Sequence, residues 1–201
     1  MDCLKPYNVR SLKEENIRIV YFTKAECLDL LDAAKLDHCS QIWLFVLIGL
    51  NTGMRHTEIL SSRFENIDAT NNRLLIPAAK AGSRNQPIPE NVLNALIQLR
   101  DDLGVTEGWI FPSKRTNGHI HSMKKPFRNA VKKIGLCGEK YTPHAMRHTK
   151  ITRLMEEGAP LAVVKEISGH KSLSMVSRYT HIANEHVNAA IESSSIGKIH
   201  R

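Results

Sequence analysis

The sequence predicts a mainly α-helical domain with a small three-stranded antiparallel sheet, an α+β chain. Apolar residues recur at helical spacing over most of its 201 residues. Three short strand-like segments separated by polar turns lie close together between residues 63 and 89. There is no internal repeat and no low-complexity tract.

The elements follow in order. Residues 1–20 carry mixed charge without a sustained period. Thr23 is placed to cap a helix, with Glu26 three residues on to complete a capping box, and Leu28, Leu30, Leu31 and Ala34 form its apolar face. A second helix should run from about Ser40 to Leu50 and stop near Gly53; a third, short one should begin near Arg55 and carry Ile59 and Leu60. The strands are expected at 63–68, 73–77 and 86–89, with turns at 69–72 and 81–83. Pro87 and Pro89 push the last strand to an edge, since proline donates no ladder hydrogen bond. Val92, Leu93, Leu96 and Leu99 then share a helical face. A long loop follows at 101–119, holding Gly104, Gly108, Pro112 and Gly118. Further helices are expected near 122–134, 144–157, 160–168, 172–179 and 184–193.

Composition narrows the function. The chain is 42% hydrophobic and 24% charged, enough to build a core and too apolar to be disordered. Lys and Arg number 28 against 20 Asp and Glu, a formal charge of +8 that favours a polyanionic partner, nucleic acid first. Aromatics are only 5%, which argues against base stacking as the main device. The excess is local: residues 111–155 hold eleven Lys or Arg and a single acid, Glu139. Such a run rewards contact with a phosphate backbone through counterion release, though a solvated basic face has the same composition. Its candidate DNA contacts are Lys114, Arg115, Lys124, Lys125, Arg128 and Lys150. The four cysteines show no zinc-ribbon or redox spacing and no secretory signal precedes them, so reduced thiols in the cytoplasm are expected. The longest apolar run, 42–50, is far short of the ~20 residues a membrane span needs and reads as a buried helix.

Several short motifs could carry chemistry. Pro143 precedes His144 and Arg147, which lie three apart on one helical face and could hold an oxyanion and move a proton. Alone, that spacing is common on helix surfaces. His144 and His148 are four apart, as a zinc pair would be, but no Glu follows the first His and no third ligand presents itself, so no metal is expected. Gly169 should end one helix and Ser172 cap the next, with His170 between them and Tyr179 nine residues beyond. A lone Tyr is ordinarily a core or surface residue. Arg55 opens a helix after a glycine turn, an ordinary junction when taken alone.

Together these pieces resemble the tyrosine site-specific recombinases of the phage-integrase type. The resemblance rests on TGMRHTEIL, LLIPAAKAGSRNQPIPE, HAMRHTKITRLMEEG and ISGHKSLSMVSRYTHI, in that order, and runs from about residue 23 to 185. It implies the fold of the DNA breaking-rejoining catalytic domain. It also implies attack by Tyr179 on a scissile DNA phosphate, giving a 3′-phosphotyrosyl bond and a free 5′-hydroxyl, with no cofactor and no metal. By the same resemblance Arg55 and Arg147 grip the non-bridging oxygens, and Lys80 in the hairpin turn protonates the leaving oxygen. His144 accepts a proton or binds phosphate, His170 binds phosphate or buttresses the site, and Glu58 orients neighbouring groups. The chemistry suits these side chains. Planar guanidiniums match phosphate oxygens bidentately, and a cationic pocket should help a tyrosine ionise. Relatives often carry Thr-Lys where this chain has Ala79-Lys80, with Arg84 as a second cation nearby, and Leu-Gly-His where it has Ser168-Gly169-His170.

The resemblance also implies a layout. Residues 1–20 are a linker or the stub of an amino-terminal DNA-binding domain, 21–185 the catalytic domain, and 186–201 a tail that docks on a neighbouring protomer. The implied partners are double-stranded DNA, a homotetramer on DNA that is monomeric alone, and a directionality factor, in a bacterial or phage setting. Competing readings are type IB topoisomerase-like relaxation, a catalytically silent DNA-binding assembly protein, and a metal-dependent phosphodiesterase built on His144 and His148.

Overall fold

A computed structural model describes residues 19–77 and 82–180 of the chain. Helix α1 (Lys24–Lys35) begins as expected. Thr23 Oγ1 accepts from the Glu26 N–H at 3.2 Å, and the Thr23 N–H donates to Glu26 Oε2 at 2.7 Å. Helix α2 (Ile42–Thr52) is apolar on every side, and seven consecutive residues from Leu44 to Leu50 are buried. A helix of that composition belongs at the centre, and α2 packs against α1, α4, α5 and α6. It ends at Gly53, whose φ of 66° turns the chain into the left-handed region. Helix α3 (His56–Leu60) follows directly. Thr23→Ala should cost about 1 kcal/mol through loss of the cap. For a domain of this size that lowers Tm by roughly 2–4 °C, readable by thermal denaturation.

The sheet has the expected order β1–β2–β3, with all pairs antiparallel, but shifted edges. Strand β1 is only Ile67–Asp68, because Phe64–Asn66 forms a 3₁₀ turn. The backbone just before it pairs elsewhere: the Phe64 N–H donates to Gly108 O and the Ile110 N–H to Ser62 O. The expected long loop is therefore partly ordered, with the Arg63 guanidinium 4.5 Å over the Trp109 ring. Strand β2 (Arg73–Ile76) alternates, burying Leu74 and Ile76 and exposing Leu75. Strand β3 is Arg84–Pro87, beginning two residues earlier than expected, with Ile76 opposite Arg84 and Leu74 opposite Gln86. Arg84 and Gln86 therefore share a face, as alternate residues of a strand must. Buried Gln86 donates to Thr52 O, which ties that face to the end of α2.

Helix α4 (Glu90–Leu103) reaches further than expected, to a left-handed cap at Gly104. Helices α5 (Lys124–Lys133), α6 (Pro143–Glu156), α7 (Leu161–Ser168) and α8 (Leu173–Ser177) lie where periodicity put them. The helix expected at 184–193 lies outside the described residues. The main core gathers Phe22, Phe45, Phe111 and Phe127 with the apolar residues of α2. Phe22 is pinned to α6 by its N–H, which donates to Thr149 Oγ1 at 2.9 Å. A smaller second core of Ile151, Leu154, Met155, Val164, Val176 and Tyr179 joins α6, α7 and the end of α8. No helix among the described residues is long and apolar enough to cross a membrane.

Candidate active site

Two helix ends build the site. The C-terminal carbonyls of an α-helix lack intrahelical donors and carry partial negative charge, so cations gather there. Helices α2 and α7 both stop at left-handed glycines, Gly53 (φ 66°) and Gly169 (φ 64°). Arg147, on α6, donates through Nη1 to Gly53 O at 2.9 Å and to Ser168 O at 2.5 Å. Arg55, just after the α2 stop, donates through Nη2 to Gly169 O at 3.0 Å. Two guanidiniums more than ninety positions apart in sequence are thus both fixed on the end of α7, and that of Arg147 on the end of α2 as well. The hydrogen bonds of Arg147 to protein among the described residues run through Nη1, which leaves the other donors of its five-donor fork uncommitted.

Glu58 supplies the balancing charge. The Arg55 N–H donates to its Oε2 at 2.9 Å and Arg55 Nη1 to its Oε1 at 2.8 Å. From β3, Arg84 donates to both oxygens, Nη1 at 3.2 Å and Nη2 at 3.0 Å. The register of β3 is what delivers Arg84 to this carboxylate. Burial alone would raise the Glu58 pKa, but the Arg55 backbone N–H and the guanidiniums of Arg84 and Arg55 outweigh it and hold it below its ordinary value. Glu58, assigned an orienting part by resemblance, therefore touches two arginines at once. Gly169 is confined both by its φ and by Arg84: a Cβ built there would lie within van der Waals overlap of the Arg84 guanidinium.

The histidines are arranged around this centre. His170 follows the α7 cap, and its Nδ1 shares a 2.7 Å hydrogen bond with the Ser168 hydroxyl, which itself donates to Val164 O. Serine in place of the usual leucine thus has a structural use here: it sets the ring. Burial, then the fields of Arg147, Arg55 and Arg178, bring the His170 pKa down to about 4. His144 sits at the solvent-exposed start of α6, behind Pro143 in the first turn. Its pKa is lowered by partial burial and by Arg147, Arg55 and Lys124.

Tyr179 is 2% exposed, its ring seated in the second core and its hydroxyl 2.5 Å from His148 Nδ1. The cationic surroundings expected to ionise it are present, yet burial outweighs Arg147 and Arg178 and the pKa is raised. Desolvation wins because the phenol is enclosed while Arg178 is exposed. His148 was legible only as a zinc-type partner of His144. Its contact with a residue thirty-one positions away left no local signal. No three His, Cys, Asp or Glu side chains converge as a metal site among the described residues.

Of the site residues read from sequence, the structure gathers Arg55, Arg147 and His170 at the ends of α2 and α7. His144 lies in the first turn of α6, and Tyr179, just past α8, meets α6 at His148. Lys80 lies outside the described residues, as does the tail at 186–201. The basic candidates are mostly on the surface: Lys114 and Arg115 on the exposed 113–118 turn, and Lys124, Lys125 and Arg128 on α5. Lys150 is half-buried, its stem packed over Gly53. Two neighbouring lysines are engaged by acids, Lys132 with Glu139 and Lys133 with Asp37.

The chain can be set beside known proteins. The tyrosine recombinase XerA of Pyrococcus furiosus is 32% identical over 160 residues, covering 76% of this chain and 54% of that protein. XerD of Pasteurella multocida is 29% identical over 177 residues, 82% of this chain and 59% of that one. The chain thus spans little more than half the length of these curated relatives. Among solved structures, the catalytic domain of bacteriophage HP1 integrase superposes with a TM-score of 0.63 at 21% identity, covering 91% of this chain and 99% of that domain. The Tn1549 transposon integrase, in complex with circular intermediate DNA, reaches a TM-score of 0.75 at 22% identity over 92% of this chain and 70% of that one. These likenesses establish the fold as that of a tyrosine recombinase catalytic domain. The phage integrase family model matches residues 20–186, the same stretch that carries the arginines, the histidines and Tyr179, and the chain belongs to that family.

Proposed function

We propose that this chain cuts and rejoins DNA through a 3′-phosphotyrosyl intermediate, as the catalytic part of a site-specific recombinase that integrates and excises a prophage or mobile element. The observation that carries this reading is the pairing of Arg55 and Arg147 on the carbonyls that end α2 and α7. A phosphodiester under attack gathers charge on its non-bridging oxygens, and two preorganised guanidiniums stabilise that charge without reorganising. Tyr179 Oη attacks phosphorus, and the P–O5′ bond breaks. The 5′ oxygen takes a proton from Lys80, the residue the family resemblance nominates. Reversal by another strand's 5′-hydroxyl restores the phosphodiester, so the free energy of the broken bond is kept and no nucleotide cofactor is consumed. His144 and His170 bind the phosphate. Lys114, Arg115, Lys124, Lys125, Arg128 and Lys150 contact the duplex backbone. In the active assembly four copies hold two duplexes, with the tail at 186–201 docked on a neighbour and a DNA-binding half ahead of residue 20 completing the grip.

The test uses supercoiled plasmid DNA in EDTA, trapped with SDS. A covalent protein–DNA adduct is expected from the wild type and should vanish in Tyr179→Phe, whose ring keeps the apolar seat. An adduct that persists in Tyr179→Phe, or activity that EDTA abolishes, would overturn the assignment. Relaxed circles without strand exchange would point instead to topoisomerase-like resealing.

A further inference from the structure

Given Tyr179 as the nucleophile, on which this inference rests, we infer that His148 is the group that takes the tyrosine's proton as the phosphorus bond forms. The observation is positional. His148, Ile151 and Met155 lie three and seven residues apart and share one face of α6. Ile151 and Met155 belong to the second core, which also takes in the Tyr179 ring. The Tyr179 hydroxyl meets the same helix about one turn before Ile151, where His148 Nδ1 lies 2.5 Å away. The two ring centroids are 5.8 Å apart. Among the described residues Nδ1 is the one hydrogen-bond partner the hydroxyl has. The proposed transfer requires that the phenol donates in this contact, with Nδ1 the unprotonated acceptor and the ring proton on Nε2. His144, by contrast, stands exposed at the first turn of the helix.

The surroundings explain why the transfer waits for DNA. Four groups face His148: His144 and Arg147 from α6, Arg178 and Tyr179 from the end of α8; His170 from the α7 cap also feels its charge. Burial first, then His144, Arg147 and Arg178, bring its pKa down to about 4, so in the free chain it is neutral and a weak base. A phosphodiester seated on Arg55 and Arg147 brings negative charge into the same field and favours the imidazolium. The step balances. The Oη–H proton passes to Nδ1, the Oη electron pair forms the bond to phosphorus, and the P–O5′ pair leaves with the 5′ oxygen. The resulting imidazolium returns the proton when the phosphotyrosyl bond is reversed. Free phenolate, open to side reactions, is not formed in advance of substrate.

Two measurements test this. The first needs only the protein: nitrogen-15 NMR of labelled histidine at neutral pH, with His148→Asn to assign the resonance. An unprotonated Nδ1 is expected; a protonated Nδ1 would overturn the inference. The second follows adduct formation on supercoiled plasmid in EDTA for wild type, Tyr179→Phe, His148→Asn and His148→Ala. Asparagine keeps a polar atom near the Nδ1 position but cannot accept a proton. His148→Asn should be about 100-fold slower near pH 7, the lower range for loss of a general base. Its rate should climb about tenfold per pH unit toward pH 9 as hydroxide takes over, while the wild type stays level. Imidazole in the buffer should restore part of the rate of His148→Ala. A His148→Asn rate within about threefold of wild type, or a uniform loss with a parallel pH profile and no imidazole rescue, would reduce His148 to a packing residue. If the wild type forms no Tyr179-dependent adduct, the proposed function itself fails and this inference falls with it; a defect confined to the His148 variants bears on His148 alone.

Discussion

Arg147→Lys is expected to slow formation of the Tyr179–DNA adduct by about 100- to 1,000-fold, the loss typical of removing one preorganised donor from a developing oxyanion. The substitution keeps a nominal charge but changes two things. A lysine has no planar fork, so it cannot hold the two helix-end carbonyls and still present a second edge to phosphate. It also would not stay charged. Burial, then repulsion from Arg55, lowers the Arg147 pKa from 12.5 to about 10, which still leaves it protonated at every working pH. A lysine starts near 10.4. The same burial and the same neighbour would carry it down towards neutrality. R147K should therefore regain some activity as pH is lowered from 9 to 6, whereas the wild type should not. A R147K rate close to wild type at pH 9 would show that the fork and the fixed charge are both dispensable.

Glu58→Ala should be the most destabilising change at the site. Glu58 is 6% exposed and holds Arg55 and Arg84 with hydrogen bonds to both oxygens. Without it three guanidiniums, those of Arg55, Arg84 and Arg147, face one another with no anion between them. Removing one partner of a buried charge pair costs about 3–5 kcal/mol, and the partial exposure of these arginines argues for the lower figure. That corresponds to a fall in Tm of roughly 6–12 °C. Inorganic phosphate should recover more of the loss in the variant than it adds to the wild type, because it returns an anion to the arginines. The pH dependence has a definite sign. The folded pKa of Glu58 is lowered from the ordinary 4.5, so its contribution is complete above about pH 4.5 and disappears as pH falls through the folded value. Wild-type and Glu58→Ala stabilities should converge in acid. Curves that run parallel down to pH 3 would mean that the carboxylate is not what holds the arginines.

What was legible in the sequence was local. The Thr23–Glu26 box, the glycine stop at 53 and Pro143 at the start of α6 are set by neighbours three or four residues away, and each element lies where those neighbours placed it. The edges of the sheet were not legible. Residues 63–66 look like a strand by composition, but Phe64–Asn66 turns as a 3₁₀ helix, and the backbone of Phe64 is claimed by Gly108 and that of Ser62 by Ile110, more than forty residues on. Strand β3 was placed by its prolines, and its true start at Arg84 is fixed by pairing with Ile76. The site shows the same division. Family resemblance singled out Arg55, His144, Arg147, His170 and Tyr179. It did not reveal that the arginines hold helix-end carbonyls, nor that Arg84 completes the Glu58 cluster, nor that His148 faces the phenol. The balance of charge and burial around Tyr179 depends on depth in the fold, which no spacing encodes.

The docking of Arg55 and Arg147 on the ends of α2 and α7 bears on how such a domain would decay over evolutionary time. Each arginine is a mechanical brace as well as a charge, so a lineage that no longer needed to cut DNA would still be under pressure to keep both. The tyrosine is different. Its ring fills the second core whether or not it carries an oxygen, and a phenylalanine would cost the fold little. In a silent descendant the first letter to drift would be Tyr179, with the arginines intact around it. An arginine pair in a distant homologue is thus a record of shared architecture, and the phenol is the place to look for whether the chemistry survives.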